Sequence, residues 1–354
     1  VATALDRDDD DTIAALDDAV AAGLLHEVDG AGGRYGFVHG LVQMAVAQGP
    51  GPTRRAALHA AVARAMEDRG GQAGEIAHQW HGAGPGHERS AAEWSRRAGG
   101  RALTQLAYDE AAQHLATALA LGVGQDARWR SAVLLDLATA QVRMGDAAAA
   151  RAALLEAAAL ARATGDVVTL ARAALESSLG GRGVSGWIAD PARIDLLAEA
   201  RAALPAGQSV LRIQVTGELA LATHGAEDRV VRARLGREAV ELAADDGAPA
   251  SLIAALPASR VAYWHPRDVA LRRDHARDAL RAAEAVGDLG AVVDAVDWLA
   301  ADAYELGDRA GFDAAVARAR ALAAEAGGVV PRWRARVWDA VTAATAGHLD
   351  QAER

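Results

Sequence analysis

The sequence predicts an all-α protein: an α-solenoid of stacked helical hairpins behind a small module that contains one β-hairpin. Three observations predict this fold. Helix-stopping residues recur at regular spacing through the C-terminal two-thirds of the chain. The composition is 51% hydrophobic but only 4% aromatic, which favours helices whose small side chains let neighbouring backbones approach closely. A short N-terminal stretch has the pattern of two strands joined by a glycine-rich turn.

Two interleaved series of helix-stopping residues divide the chain into units of about 40 residues. The second series is offset from the first by about half a period, so each unit contains two helices. The first series is Gly145, Gly186, Gly225, Pro266, Gly307 and Gly347, and the second is Gly165, Gly207, Gly247, Gly287 and Gly327.

The residues around these stops have the chemistry of helix ends. A glycine can take the left-handed conformation that ends a helix, and an aspartate after it can cap the next helix. This pair occurs at Gly145-Asp146, Gly165-Asp166, Gly287-Asp288 and Gly307-Asp308. Between stops the apolar residues follow helical spacing, as in Leu134, Leu137 and Ala138 before Gly145.

The first 70 residues follow a different pattern. They predict a helix over residues 12–22, strands over 24–28 and 34–38, and helices over 40–48 and 52–68. Pro52 suits the first turn of its helix. Helices that flank a β-hairpin indicate a winged-helix module. We therefore expect a winged-helix-like module over residues 1–70, after an absent ATPase domain, and a helical repeat domain over residues 71–354.

Charge and composition exclude several functions for this segment. The formal net charge is −10. The turn of the predicted wing carries little positive charge, and the aspartates at positions 8–11 make the module acidic. Nucleic acid is therefore not an expected partner, because phosphate binding needs clustered cations. The chain has no lysine, no P-loop and no cysteine, so neither P-loop ATP hydrolysis nor cysteine-ligated zinc is expected.

The ends of the sequence and its hydropathy lead to two further expectations. No apolar run is long enough for a membrane-spanning helix, and no secretion signal is present, so we expect a cytoplasmic protein without membrane contact. The chain starts at Val1 without a methionine and stops at Arg354 inside a predicted helix. We interpret it as a fragment of a longer protein.

Residues 91–121 resemble the tetratricopeptide repeat (TPR). Trp94, Ala98, Gly99 and Ala102 match its first helix, while Tyr108-Asp109-Glu110-Ala111, Leu115 and Ala118 match its second. The units that contain Gly307 and Gly347 match more loosely, and their period is longer than the ~34 residues of that repeat. The resemblance implies a right-handed superhelix whose concave side binds a partner or ligand.

Several short segments resemble STAND-type signalling ATPases, in particular the large ATP-binding LuxR-family (maltose-regulator-like) transcriptional regulators and their nucleotide-cyclase-linked relatives. The segments are Gly23-Leu24-Leu25, Phe37-Val38-His39-Gly40-Leu41-Val42, Arg54-Arg55-Ala56-Ala57-Leu58-His59, Glu75-Ile76-Ala77-His78-Gln79-Trp80, Leu179-Gly180-Gly181-Arg182-Gly183 and Tyr263-Trp264-His265-Pro266. The resemblance implies that an ATPase domain precedes this chain and binds ATP or ADP. It implies that the repeats sense an inducer or protein, and that this segment is not itself an enzyme.

His39 is the candidate nucleotide-contacting residue. Val38-His39-Gly40 lies where related STAND proteins carry a Met-His-Asp motif that touches the nucleotide phosphate, although Gly40 replaces the acidic residue. The resemblance therefore implies that His39 senses a phosphate, since a histidine can hydrogen-bond one. The alternative is a histidine that packs at a junction between a strand and a helix.

The predicted ligand or partner groove lies in the C-terminal repeats. The repeat phase set by Pro266 and Gly307 places Arg260, Tyr263, Asp297 and Tyr304 on its inner wall. Aromatic faces with a few polar groups suit a small inducer or a peptide, although a tyrosine between helices is equally ordinary. Residues 180–187, with Arg182 and Trp187, form either a loop over the groove or a plain connector.

The remaining charged and histidine clusters are interpreted as structural. His78, His81 and His87 are expected at solvated helix ends rather than in a metal site. The run Arg272-Arg273-Asp274 is expected on a solvated helix face. Two alternatives to the transcription regulator stay open: the same region of a nucleotide cyclase, and a free-standing TPR scaffold for protein interactions. Self-association is left open as well.

Overall fold

The computed structural model describes Ala2 and residues 7–28, 33–122, 124–177, 190–207, 209–223, 229–326 and 329–353. In this part of the chain the fold is all-α, with a single two-stranded sheet, and the predicted fold class is confirmed. The chain divides into two compact units, Val1–Gly165 and Asp166–Arg354. The boundary near residue 70 between a module and a repeat domain stays a prediction.

The first unit contains a helix, a β-hairpin and then a series of helices. Its elements are α1 (Asp9–Ala21), β1 (Leu25–Glu27), β2 (Tyr35–Phe37), α2 (Gly40–Gln48), α3 (Pro52–Asp68), α4 (Ala73–Gly82), α5 (Glu88–Thr104), α6 (Tyr108–Leu121), α7 (Ala127–Met144) and α8 (Ala147–Thr164). The two strands pair antiparallel with Leu25 opposite Phe37, so the predicted hairpin is confirmed. The classification of this module as a winged helix stays a prediction.

The second unit is helical throughout its described residues. Its elements are α9 (Val167–Glu176), α10 (Pro191–Ala203), α11 (Ser209–Ala222), α12 (Arg229–Asp246), α13 (Pro249–Ala262), α14 (Val269–Val286), α15 (Leu289–Glu305), α16 (Arg309–Ala326), α17 (Val329–Thr345) and α18 (Leu349–Ala352). A single 3₁₀ turn, Pro266–Asp268, precedes α14. Consecutive helices pack against one another as hairpins, which is the arrangement that the two glycine series predict.

The helix ends confirm the predicted stop chemistry. Left-handed glycines, with φ between 65° and 85°, are found at Gly145, Gly165, Gly247, Gly287, Gly307 and Gly347. The carboxylate of Asp146 accepts a hydrogen bond from the backbone N–H of Ala149 at 3.0 Å. Asp166, Asp288 and Asp308 cap α9, α15 and α16 in the same way. Gly207 does not have a positive φ, and Gly186, Gly225 and Gly327 lie outside the described residues.

Small residues allow the two helices of the best TPR match, α5 and α6, to pack closely. Ala98, Gly99 and Ala102 are buried on α5, and Leu115 is buried on α6. A Cβ atom on Gly99 would lie 2.5 Å from Cγ of Leu115. The predicted role of a small residue where paired helices touch is confirmed at this position.

Two neighbouring glycines of α5 provide a matched test of this packing. We expect Gly99→Ala to lower the free energy of unfolding by about 1–2 kcal/mol, because its Cβ must displace Leu115. Gly100→Ala should instead raise it by about 0.5–1 kcal/mol, since nothing lies within 4 Å of that Cβ and alanine favours a helix. Urea unfolding of both variants measures the difference. Equal effects would contradict the proposed close contact.

No helix in the described part of the chain is both long enough and apolar enough to cross a membrane. Within the same residues, no group of three His, Cys, Asp or Glu side chains has the arrangement of a metal site.

Candidate binding site

The predicted groove residue Arg260 lies inside the second unit, near the C-terminus of α13. Its side chain is buried, with 3% of the residue exposed. Nη1 donates to Oδ1 of Asp302 on α15 at 2.6 Å, and Nη2 donates to the carbonyl oxygen of Arg272 on α14 at 3.0 Å. The guanidinium also stacks over the ring of Trp298, 4.8 Å from its centroid. The expectation that Arg260 is exposed on a wall is therefore wrong, because its guanidinium is the counter-ion of a buried carboxylate.

Arg272 is the second cation of this cluster, and the prediction that it lies on a solvated helix face is wrong. It is 2% exposed. Its Nε donates to Oδ1 of Asp302 at 3.2 Å, and its Nη2 donates to Oε2 of Glu305 at 2.7 Å. Its Nη1 lies 3.2 Å from the carbonyl oxygens of both Tyr263 and Trp264. A cation at this position stabilises the carbonyls at the end of α13, which have no partner within the helix.

The cluster joins three successive helices through one carboxylate. Asp302 is fully buried and receives both guanidinium groups on the same oxygen. Burial has the largest effect on the pKa of Arg260 and lowers it, while the hydrogen bond and the charge of Asp302 raise it. Arg260 stays charged, because an arginine side chain is not deprotonated in proteins. We call Arg260, Arg272 and Asp302 the ionic cluster. Charges buried in this way must be paired, so the cluster fixes how α13, α14 and α15 are placed.

Tyr263 ends α13 and is half-buried beside the ionic cluster. Its ring lies 5.4 Å from the ring of His275 on α14. Burial raises the pKa of Tyr263, with a smaller contribution from Glu241, and burial lowers the pKa of His275. The neighbouring Trp264 is 53% exposed. Arg272 donates to the carbonyls of both Tyr263 and Trp264, so it fixes the backbone of this turn. The turn therefore holds two aromatic side chains in place, and that of Trp264 is exposed.

Tyr304 and Asp297, both on α15, belong to a second aromatic set. Tyr304 is 51% exposed and its ring lies 5.7 Å from that of the buried Phe312, which lies 5.9 Å from Trp338 on α17. Nε1 of Trp338 donates to Oδ1 of Asp297 at 2.7 Å. Burial raises the pKa of Asp297, and the bond from Trp338 acts against that rise. Tyr304 is thus half exposed to solvent, while Asp297 joins two helices. A groove wall that carries both residues stays a prediction.

The structure brings part of the predicted set together. Arg260 and Tyr263 meet through Arg272, and Tyr304 is next to Glu305, which accepts a bond from Arg272. Arg182 and Trp187 lie outside the described residues, so a loop over the groove remains a prediction.

In the first unit, His39 lies at the N-cap of α2, where its backbone is extended. It is exposed, and its side chain makes no capping hydrogen bond. An exposed imidazole beside a helix N-terminus is accessible to an anion. The nucleotide-sensing role of His39 stays a prediction.

Sequence reasoning missed Arg272, Asp302 and Trp264. The signal for Asp302 was present in the helical period: it follows Ala295 and Leu299 on the apolar stripe of α15, where an acidic residue needs a buried partner. Arg272 gave no comparable signal, because Arg273 and Asp274 beside it do have the pattern of a solvated face. Trp264 was noticed only as part of a resemblance.

Comparison with solved structures agrees with this fold. A Rap protein complexed with Competence and Sporulation Factor is similar with a TM-score of 0.51 and 10% identity, over 97% of this chain and 89% of that one. A STAND protein with a tetratricopeptide repeat sensor, from Pyrococcus horikoshii, is similar with a TM-score of 0.50 and 10% identity. The match covers 99% of this chain, which spans 58% of that protein's length.

No family model matches the sequence, and no curated protein matches it. At 10% identity the structural similarity shows the fold alone. This chain therefore has the helical-repeat fold of TPR proteins, a fold that is used to bind protein or peptide partners.

Proposed function

We propose that this chain is the sensor region of a STAND-type ATPase that regulates transcription in the cytoplasm, and that its repeats bind an inducer or a partner protein. In the intact protein this binding biases an upstream nucleotide switch that holds ATP or ADP. The chain itself carries out no catalysis. A ligand can act in this way only if it binds one state of the switch better than the other.

The observation that carries the proposal is the exposure of two aromatic side chains of the second unit: Trp264, which lies beside the ionic cluster, and Tyr304, which packs on Phe312. Trp264 and Tyr304 are about half exposed, and the turn that carries Trp264 is held by Arg272. Rigid aromatic side chains lose little conformational entropy on binding, so they are efficient recognition groups. The similarity of the fold to a STAND protein with a TPR sensor also supports a sensor role.

The test uses the intact polypeptide that contains this chain. We expect an upstream Walker motif in the complete reading frame, and a helix-turn-helix at its other end. Trp264→Ala and Tyr304→Ala should leave basal output unchanged and reduce the response to the inducing condition at least tenfold. A cyclase domain in the reading frame would replace the proposal by the cyclase alternative, and the lack of any ATPase domain would favour a scaffold.

His39 provides a separate test of the nucleotide switch. We expect His39→Ala in the intact protein to accelerate release of bound ATP or ADP several-fold, because a phosphate contact is lost. Nucleotide retention after gel filtration measures this release. His26→Ala in β1 is the matched control. If His39→Ala retains nucleotide and basal output at the level of the parent protein, His39 has only a packing role.

A further inference from the structure

The outward face of α5 in the first unit is basic, although the chain as a whole is acidic. The opposite face of the helix is buried and consists of small residues such as Ala92 and Ala98. Residues three, four or seven apart on a helix share a face. The outward face accordingly carries Arg89, Glu93, Arg96, Arg97, Gly100 and Arg101. We call these six residues the α5 face.

The charge of the α5 face is positive after its local partners are counted. The face has four arginines and one glutamate, and Glu93 and the charge of Asp136 on α7 raise the pKa of Arg96, so these six charged groups have a net charge of +2. The whole chain has a net charge of −10. Arg89 and Arg101 are exposed and form no ion pair with any described residue. The face therefore offers cations that the fold itself does not use.

Gly100 is the second, independent observation. A glycine in a helix interior costs about 0.5–1 kcal/mol relative to alanine. The neighbouring Gly99 has a packing reason, because its Cβ would collide with Leu115. Gly100 has none, since a Cβ there would meet nothing within 4 Å. A glycine that packing does not require, between Arg97 and Arg101, leaves room for the backbone of a ligand to approach closely.

Glu93 keeps two of the four arginines of this face in place. Its carboxylate accepts hydrogen bonds from Arg96, from Arg97 and from Nε1 of Trp129 on α7, at 2.9–3.1 Å. The guanidinium of Arg97 also stacks on Trp94, 4.6 Å from the ring centroid, while half of its side chain remains exposed. Arg97 is thus pre-oriented, which reduces the entropy that a ligand must overcome on binding.

We propose that the α5 face binds a short acidic peptide segment in extended conformation. Arg97 and Arg101 are four residues apart, a rise of about 6 Å along the helix. Alternate side chains of an extended chain are about 6.4–6.8 Å apart. Two carboxylates separated by one residue therefore match the two guanidinium groups, and the ligand backbone passes over Gly100. The net charge of −10 favours a short peptide over a nucleic acid, whose long phosphate backbone the rest of the chain repels.

The test measures fluorescence anisotropy of a labelled peptide that contains two aspartates separated by one residue, titrated with the whole chain. We expect saturable binding that weakens at least tenfold when asparagines replace the aspartates. The double variant Arg97→Ser/Arg101→Ser should weaken binding at least tenfold. Gly100→Leu should do the same without lowering the Tm, because its side chain fills the open space above the helix. Arg281→Ser, at an exposed arginine of the second unit, is the matched control and should bind normally.

Three results would overturn this assignment. They are the absence of saturable binding up to millimolar protein, equal affinity for the asparagine peptide, and tighter binding of a single-stranded oligonucleotide than of the peptide. The inference is independent of the proposed sensor site, since Trp264→Ala and Tyr304→Ala should leave peptide binding unchanged. If the peptide does not bind but the inducer response depends on Trp264 and Tyr304, only the α5 assignment fails. If the peptide binds but the inducer response does not depend on these two residues, only the proposed sensor site fails.

Discussion

Replacing Asp302 by asparagine is expected to lower the free energy of unfolding by about 3–5 kcal/mol. Asp302 is fully buried and its Oδ1 accepts bonds from both Arg260 and Arg272. An asparagine of the same size leaves the buried guanidinium of Arg260 without a counter-ion and that of Arg272 with only the half-exposed Glu305. Removal of one partner from a buried ion pair has a cost of this size. Urea unfolding with an unchanged m-value measures the loss.

The matched control is Glu305→Gln, which removes the more exposed carboxylate that Arg272 also contacts. The Glu305 side chain is 46% exposed, so its pair with Arg272 is screened by solvent and the loss should stay below about 1 kcal/mol. If Asp302→Asn destabilises no more than Glu305→Gln, the ionic cluster does not fix the three helices in place.

A triple variant separates stability from positioning. Arg260→Met, Arg272→Met and Asp302→Leu together remove every charge of the cluster, and a buried ion pair replaced by apolar residues often retains full stability. The carbonyls of Tyr263 and Trp264 nevertheless lose the donor that Arg272 supplies. We expect near-parental stability and a faster-exchanging backbone amide at Trp264. Unchanged hydrogen exchange there would mean that Arg272 does not hold the aromatic turn.

The helical hairpins were predictable from the sequence because their signals are local. Gly145 and Asp146 specify a helix end and a cap within two residues, whatever lies around them. The same locality explains why the bounds of α2 and α3 agree with the predicted ranges 40–48 and 52–68. A β-hairpin with a short turn is local as well, so β1 and β2 were found where expected.

The candidate site was less predictable because it depends on contacts between distant residues. Arg260 and Asp302 are 42 positions apart and meet only after two hairpins stack. The repeat phase gives the face of a helix on which Arg260 lies, but it does not reveal whether that face meets solvent or a buried carboxylate. Tyr304 is exposed because it lies near the end of its helix, and its place on a groove wall stays a prediction.

Acid is expected to destabilise the first unit through Glu93. Two arginines and the Trp129 indole bond this carboxylate, with Arg96 contributing most, and lower its pKa from 4.5 to about 2. A carboxyl group whose folded pKa lies below its unfolded pKa contributes stability at high pH. That contribution is complete above about pH 4.5, and it is lost as the pH falls from 4.5 towards 2. This lowering of the pKa corresponds to about 2–3 kcal/mol once solvent screening is allowed for.

Glu93→Gln tests this window directly. The variant should be less stable than the parent chain by about 2–3 kcal/mol at pH 7, and the difference should shrink towards zero as the pH falls below 3. Glu156→Gln is the control, because its single pair with Arg130 is exposed and should contribute under 1 kcal/mol at any pH. Thermal unfolding from pH 7 to pH 2.5 gives both curves. A difference between Glu93→Gln and the parent that does not change with pH would mean that the variant is destabilised by lost packing. The ionised carboxylate would then not be what joins α5 to α7 through Trp129.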